Sequence, residues 1–177
     1  MQLDDRPTVF PPGTLVHGDA AYDDARITFN GMLDRRPAAI AMCQSTADVV
    51  AAVRAARAAG LPIAVRGGGH SVAGHGIADG SLAISLATMR DVVVDPERRL
   101  AHAAGGAQWL DVDTATTAHG LAVPGGTFID TGIGGLTLGG GLGWLMPLAG
   151  LTCDNLVEAE VVTADGTVVI AGPETDP

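Results

Sequence analysis

The chain has 177 residues and a formal net charge of −10, with ample apolar content for one domain or for one domain of two lobes. Its acidity disfavours nucleic acid or an anionic membrane as a partner. All ten basic residues are arginine, which excludes a P-loop lysine, a pyridoxal-phosphate Schiff base and a lysine general base.

The start, Met1-Gln2-Leu3-Asp4-Asp5, is acidic where a secretory leader is basic, and no apolar run reaches membrane-spanning length. A cytoplasmic location is the expectation, with secretion left open. Residues 1–33 read as an N-terminal adapter, broken at Pro11-Pro12-Gly13 and holding a short helix from Tyr22 to Asn30. Pro37 to Met42 reads as a strand. Ser45 with Asp48 starts a helix over Thr46 to Ala59, stopped by Gly60 and Pro62. Ile63 to Arg66 is the next strand, so strand, helix and strand make a parallel βαβ unit. A further apolar run spans Leu82 to Leu86. Val92-Val93-Val94 and Leu100 to Ala104 form a hairpin about Asp95-Pro96-Glu97, and Trp109 to His119 a helix ended by Gly120. Leu156 to Thr163 and Val168 to Ala171 pair around Asp165-Gly166. The fold class is α+β, a small βαβ lobe at about 34–90 and a mixed or antiparallel lobe at about 91–177, with the glycine clusters facing each other across a cleft.

Two glycine clusters carry the chemistry. Arg66-Gly67-Gly68-Gly69-His70-Ser71 leaves the carboxyl end of a buried strand, where open α/β sheets bind ligands. Consecutive glycines let backbone N–H groups converge and let a ligand touch the main chain, a way to grip pyrophosphate without charge. By itself this loop is equally a glycine turn with an incidental surface histidine. The second cluster runs Gly132-Ile133-Gly134-Gly135-Leu136-Thr137-Leu138-Gly139-Gly140-Gly141-Leu142-Gly143-Trp144, followed by Gly150-Leu151-Thr152-Cys153-Asp154-Asn155. Neither cluster fits G-x-G-x-x-G, so a Rossmann site for NAD is disfavoured. Cys43 and Cys153 make neither a disulfide framework nor a zinc signature, and no carboxylate is placed in sequence to complete a metal site with His70 and His75; no metal is expected.

From about Arg36 to Gly166 these motifs, with Arg36-Pro37-Ala38-Ala39-Ile40, Asp95-Pro96 and Ala104-Gly105-Gly106-Ala107, closely resemble the flavin domain of the berberine bridge enzyme-like oxidases. Those belong to the FAD-linked oxidases with a vanillyl-alcohol-oxidase-type (PCMH) FAD domain. The resemblance implies FAD held by one covalent 8α-histidyl bond at His70. It implies pyrophosphate contacts from Gly67, Gly68, Gly69 and Ser71, and flavin and ribityl contacts from Gly132, Gly134 and Gly135, the last two opening a short helix. Asp154 and Asn155 shape a closing loop or a simple turn, and Val161 offers backbone to the adenine. Gly74, His75 and Gly125 complete the implied cofactor set. Arg66 either meets phosphate or is solvated.

The bicovalent members carry a cysteine where Phe128 stands in Thr127-Phe128-Ile129-Asp130-Thr131, so a single attachment is expected. Cys153 reads as a small buried residue, Trp144 as core, and Ser85 stands where the family often has aspartate. The family pattern continues past the Asp165-Gly166 hairpin, and the chain ends at Glu174-Thr175-Asp176-Pro177. The expectation is therefore an FAD domain over 34–177 truncated before its final strands, with the substrate domain and catalytic residues elsewhere, in a C-terminal half or a second chain. The implied activity is an oxidase taking hydride from a small alcohol or amine substrate to flavin N5, with oxygen as acceptor. A non-catalytic flavin-binding fragment and a noncovalent-FAD reductase of the same superfamily fold are the alternatives.

Overall fold

The computed structural model describes residues 10–173 and 175; the acidic start at 1–5, the rest of the adapter up to residue 9, and Glu174, Asp176 and Pro177 lie outside the described residues. Chain order gives α1 (Tyr22–Arg26), β1 (Ala39–Met42), α2 (Thr46–Ala58), β2 (Ile63–Arg66), β3 (Leu82–Ser85), β4 (Val92–Asp95) and β5 (Leu100–Ala103). After these come α3 (Trp109–Thr117), α4 (Ile133–Leu138), α5 (Met146–Ala149), a 3-10 turn at Cys153–Asn155, β6 (Ala159–Val162) and β7 (Val168–Ala171).

The first sheet is parallel, in the order β1-β3-β2. β3 takes the centre because all four of its residues are buried, as a strand covered on both faces requires. The expected βαβ unit is present, but β3 lies between its two strands. Ser45 caps α2 by accepting from Asp48 N, and the small residues Ala52 and Ala56 let that helix settle on Ala39, Ala41, Leu82 and Ile84. Burial in this layer pushes the Cys43 thiol up to about 11. The opposite face is covered by Tyr22 and Ile77 against Ile40 and Ala83, and the Tyr22 hydroxyl donates to the Pro37 carbonyl at 2.6 Å.

β4 and β5 form an antiparallel hairpin on which α3 packs. Asp111, in the first turn of α3, accepts from Gln108 N at 2.8 Å and from both Nε and Nη2 of Arg90 at 2.9 and 2.8 Å. The Arg90 hydrogen bonds lead in holding the Asp111 carboxyl below its usual range. A lowered folded value stabilises fully above the unfolded value and loses that contribution as pH falls through the folded value. Asp111→Asn is therefore expected to cost about 1 kcal/mol at pH 7, with the gap to wild type narrowing below about pH 4. Urea melts of both proteins at several pH values check this, and a pH-independent gap would refute it.

The last hairpin, β6–β7, docks on α2 of the first layer. Thr46 Oγ1 donates to Glu160 at 2.5 Å, Arg54 Nη2 to the Gly166 carbonyl at 3.1 Å and Arg57 Nη1 to the Ala164 carbonyl at 2.7 Å.

Three expectations are corrected. Trp144 is not core: it is 84% exposed. Cys153 is exposed rather than buried, since it opens the short 3-10 turn, none of whose residues is buried. The first helix stops at Arg26 rather than Asn30, since Ile27 is extended and the following residues are used elsewhere.

Candidate functional site

β2 ends at Arg66, whose carbonyl accepts from Leu86 N, and the chain then enters Gly67-Gly68-Gly69 with Gly69 at φ +77. A Cβ on Gly68 would lie 2.6 Å from Gly132 Cα and closer still to its nitrogen, and a Cβ on Gly132 would lie 2.8 Å from Gly68 Cα. The two glycine clusters therefore do not face each other across a cleft; they meet backbone to backbone. Gly105 joins them, since Cβ atoms on Gly67 and Gly134 would each sit 3.6 Å from its carbonyl oxygen. The junction is tied by Ile133 N to Ala107 O, Trp109 N to Thr131 O and Leu110 N to Ile129 O at 3.0, 3.1 and 2.9 Å.

His70 sits on this junction, with 20% of its side chain exposed and its Nε2 3.5 Å from Asp130 Oδ2. One face of the imidazole stacks on Phe29, with ring centroids 4.5 Å apart and planes 16° from parallel. Asp130, sixty residues away in sequence, is brought beside His70 by the fold. Among the described residues no group of three metal-ligating side chains forms.

Arg66 is half-buried and its guanidinium is tied to the segment before β1. Its Nη2 donates to the Ile27 carbonyl at 2.9 Å, and its guanidinium lies against Gly69, 3.1 Å from where a Cβ would stand. Burial holds it below the usual arginine value, and among the described residues it pairs with no carboxylate. Its Nε is buried without a hydrogen-bond partner, as is Oγ of Ser85, its register neighbour on β3. Two orphaned polar atoms thus belong to register neighbours at the ends of β2 and β3, and each costs free energy as long as it stays unsatisfied.

Ser71 Oγ accepts from His75 N at 3.0 Å, which leaves the Ser71 hydroxyl proton free to donate. Gly74, at φ +78, is wedged beside Leu33 and Arg35, and Arg35 donates to the carbonyls of Ala73, Gly74 and Ile77. Gly125 is accounted for by packing, because a Cβ there would enter the Trp109 ring. Asp154 and Asn155 close their own turn: Asp154 Oδ2 accepts from Leu151 N, and Asn155 Nδ2 donates to the carbonyls of Ala149 and Leu151. Val161 pairs with Val169 in the hairpin on α2. Two shallow concavities border β4 and α3, one near Thr116 and Leu121 and one near Arg90 and Leu110, and neither is lined by a residue of the two glycine clusters.

Gly134 and Gly135 behave differently from Gly68 and Gly132. They lie inside α4, neither has a left-handed φ, and a Cβ would meet nothing closer than 3.6 Å at Gly134 and nothing within 4 Å at Gly135. A helical glycine costs about 1 kcal/mol relative to alanine, and nothing in the chain's own packing repays it. Such a face suits a group that must lie directly on the main chain.

The family model described as an FAD binding domain matches residues 37–172. The uncharacterised FAD-linked oxidoreductase YgaK of Bacillus subtilis is 39% identical over 151 residues, covering 85% of this chain and 34% of its own length. The crystal structure of 6-hydroxy-D-nicotine oxidase from Arthrobacter nicotinovorans superposes with a TM-score of 0.89 at 34% identity, over 92% of this chain and 36% of the other. A structure of glucooligosaccharide oxidase from Acremonium strictum, described as carrying 6-S-cysteinyl, 8α-N1-histidyl FAD, gives 0.82 at 36% identity, over 90% and 34%. The chain belongs to the FAD-binding domain family of the PCMH and vanillyl-alcohol-oxidase type, among flavin-dependent oxidoreductases. It spans about a third of the length of these relatives. No helix among the described residues is long and apolar enough to cross a membrane.

Proposed function

We propose that the chain is the flavin-holding part of an oxidase that passes hydride from an alcohol or amine carbon to flavin N5, with oxygen as acceptor. The observation that carries this reading is the bare backbone of Gly134-Gly135, kept inside a helix at a cost to stability. FAD, when bound, supplies the two-electron acceptor. The residues of the chain bind and orient it. The N–H groups of Gly67, Gly68 and Gly69 and the Ser71 hydroxyl take the pyrophosphate, with the half-buried charge of Arg66 beside Gly69. Gly132, Gly134 and Gly135 lie along the ribityl and the flavin ring.

His70 carries a single covalent link through a ring nitrogen, a reading supported by the histidyl-linked FAD of the oxidase from Acremonium strictum. Asp130 faces Nε2, so its carboxylate favours the proton on that nitrogen and leaves the lone pair on Nδ1. The exposed side chains of Phe128, Leu138, Leu142, Trp144 and Leu148 form the face for a further polypeptide part, in cis or as a second chain, that brings the small-molecule substrate.

Gly134→Ala and Gly135→Ala are expected to raise the stability of the ligand-free chain by about 1 kcal/mol each while lowering FAD affinity tenfold or more. Thermal melts and calorimetric titration with FAD check both signs; unchanged affinity would remove α4 from the site. Peroxide production on alcohols and amines is expected only after the further part is added, and turnover by residues 1–177 alone would sink that division of labour.

A further inference from the structure

We infer that Phe29 is a positioning residue for His70. The inference rests on His70 as the point of flavin attachment. Residues 27–30 follow α1 but continue no helix; they lie as a strap across the glycine loop. Three hydrogen bonds stitch the strap down: Arg66 Nη2 to the Ile27 carbonyl at 2.9 Å, Phe29 N to the Gly69 carbonyl at 3.0 Å and Asn30 Nδ2 to the Val72 carbonyl at 2.9 Å. Each loop partner lies within four residues of His70, on either side of it.

The strap places the Phe29 ring on the imidazole, 4.5 Å away and 16° from parallel. Phe29 nevertheless stays 67% exposed, so it is a poor contributor to the core, and its ring contact is with His70. The His70 side chain is 20% exposed, and the partners recorded for its ring are Phe29 and Asp130. Phe29 on one face and Asp130 at Nε2 together favour one ring orientation. Attachment would join the imidazole nitrogen to the flavin 8α carbon with one hydrogen lost from each. Oxygen, the acceptor of the proposed reaction, would take the two electrons and two protons as peroxide. A misplaced nucleophile forfeits most of the gain from proximity.

The test uses the full chain labelled with ring 15N-histidine, with His70 assigned through His70→Gln. In wild type the carbon-bound imidazole protons of His70 should be displaced upfield by the phenyl ring current. Phe29→Leu keeps apolar bulk and should abolish that displacement, and Phe29→Tyr should restore it. Covalent FAD incorporation, followed by intact mass, should slow at least tenfold in Phe29→Leu and return to near wild type in Phe29→Tyr, with melting temperatures alike. A wild type without the upfield displacement, or a Phe29→Leu chain that attaches FAD at the wild-type rate, overturns the role of Phe29. A wild type that never attaches FAD overturns the reading of His70 itself and the purpose of the stack with it.

Discussion

Gly68→Ala should destabilise the folded chain by about 3 kcal/mol, the largest effect of any single methyl group considered. The added carbon would lie 2.6 Å from Gly132 Cα and closer to its nitrogen, and the obstacle is main chain rather than a side chain that can turn away. Relief requires the end of β2 to move off the residue that caps α4, which also strains Ile133 N to Ala107 O. Gly132→Ala meets the same contact from the other side, so the double variant should cost less than the sum of the two singles. Urea denaturation of the four proteins measures the cycle. A loss below about 1 kcal/mol for Gly68→Ala would mean that the two loops do not touch.

His70→Ala should abolish covalent flavin altogether while leaving the fold in place. The imidazole is 20% exposed, but its recorded partners, the Phe29 ring and Asp130, are both largely exposed, and its loss removes no residue of the core. A loss of about 1 kcal/mol is expected, well short of unfolding the chain. FAD-loaded wild type should stay yellow after acid precipitation and show an adduct mass, whereas His70→Ala should release all its flavin. Cys153→Ser should keep the adduct, because that thiol is exposed on the 3-10 turn beyond α5. Loss of adduct in Cys153→Ser, or its persistence in His70→Ala, would refute a single bond at His70.

Short-range physics made most of the fold legible. Apolar runs and β-branching marked the strands within a residue or two, except that β6 starts at Ala159 rather than Leu156. Ser45 and Asp48 marked the start of α2, and Gly60, Gly120 and Gly166, all at positive φ, marked turns. The glycine loop at the end of β2 was readable for the same reason, since its composition is local. The paired roles of the glycines were not. Gly68 and Gly132 are glycine for each other's backbone and Gly125 for the Trp109 ring, whereas Gly134 and Gly135 are glycine for nothing within the chain. A sequence shows the same letter in all five places.

By itself, then, the sequence determined the α+β class, the parallel unit, the two hairpins, the glycine clusters and the prominence of His70. These follow from periodicity, caps and turn chemistry, which act over a few residues. Only the tertiary structure decided what surrounds His70. Phe29 arrives from the strap before β1 and Asp130 from the segment before α4, and no period or spacing links either to the loop at 66–71. It likewise decided that Arg66 turns inward to the Ile27 carbonyl and that Trp144 stands in the open. Burial and partnership depend on which distant backbone crosses a given point, and that is a property of the packed chain rather than of any local stretch of it.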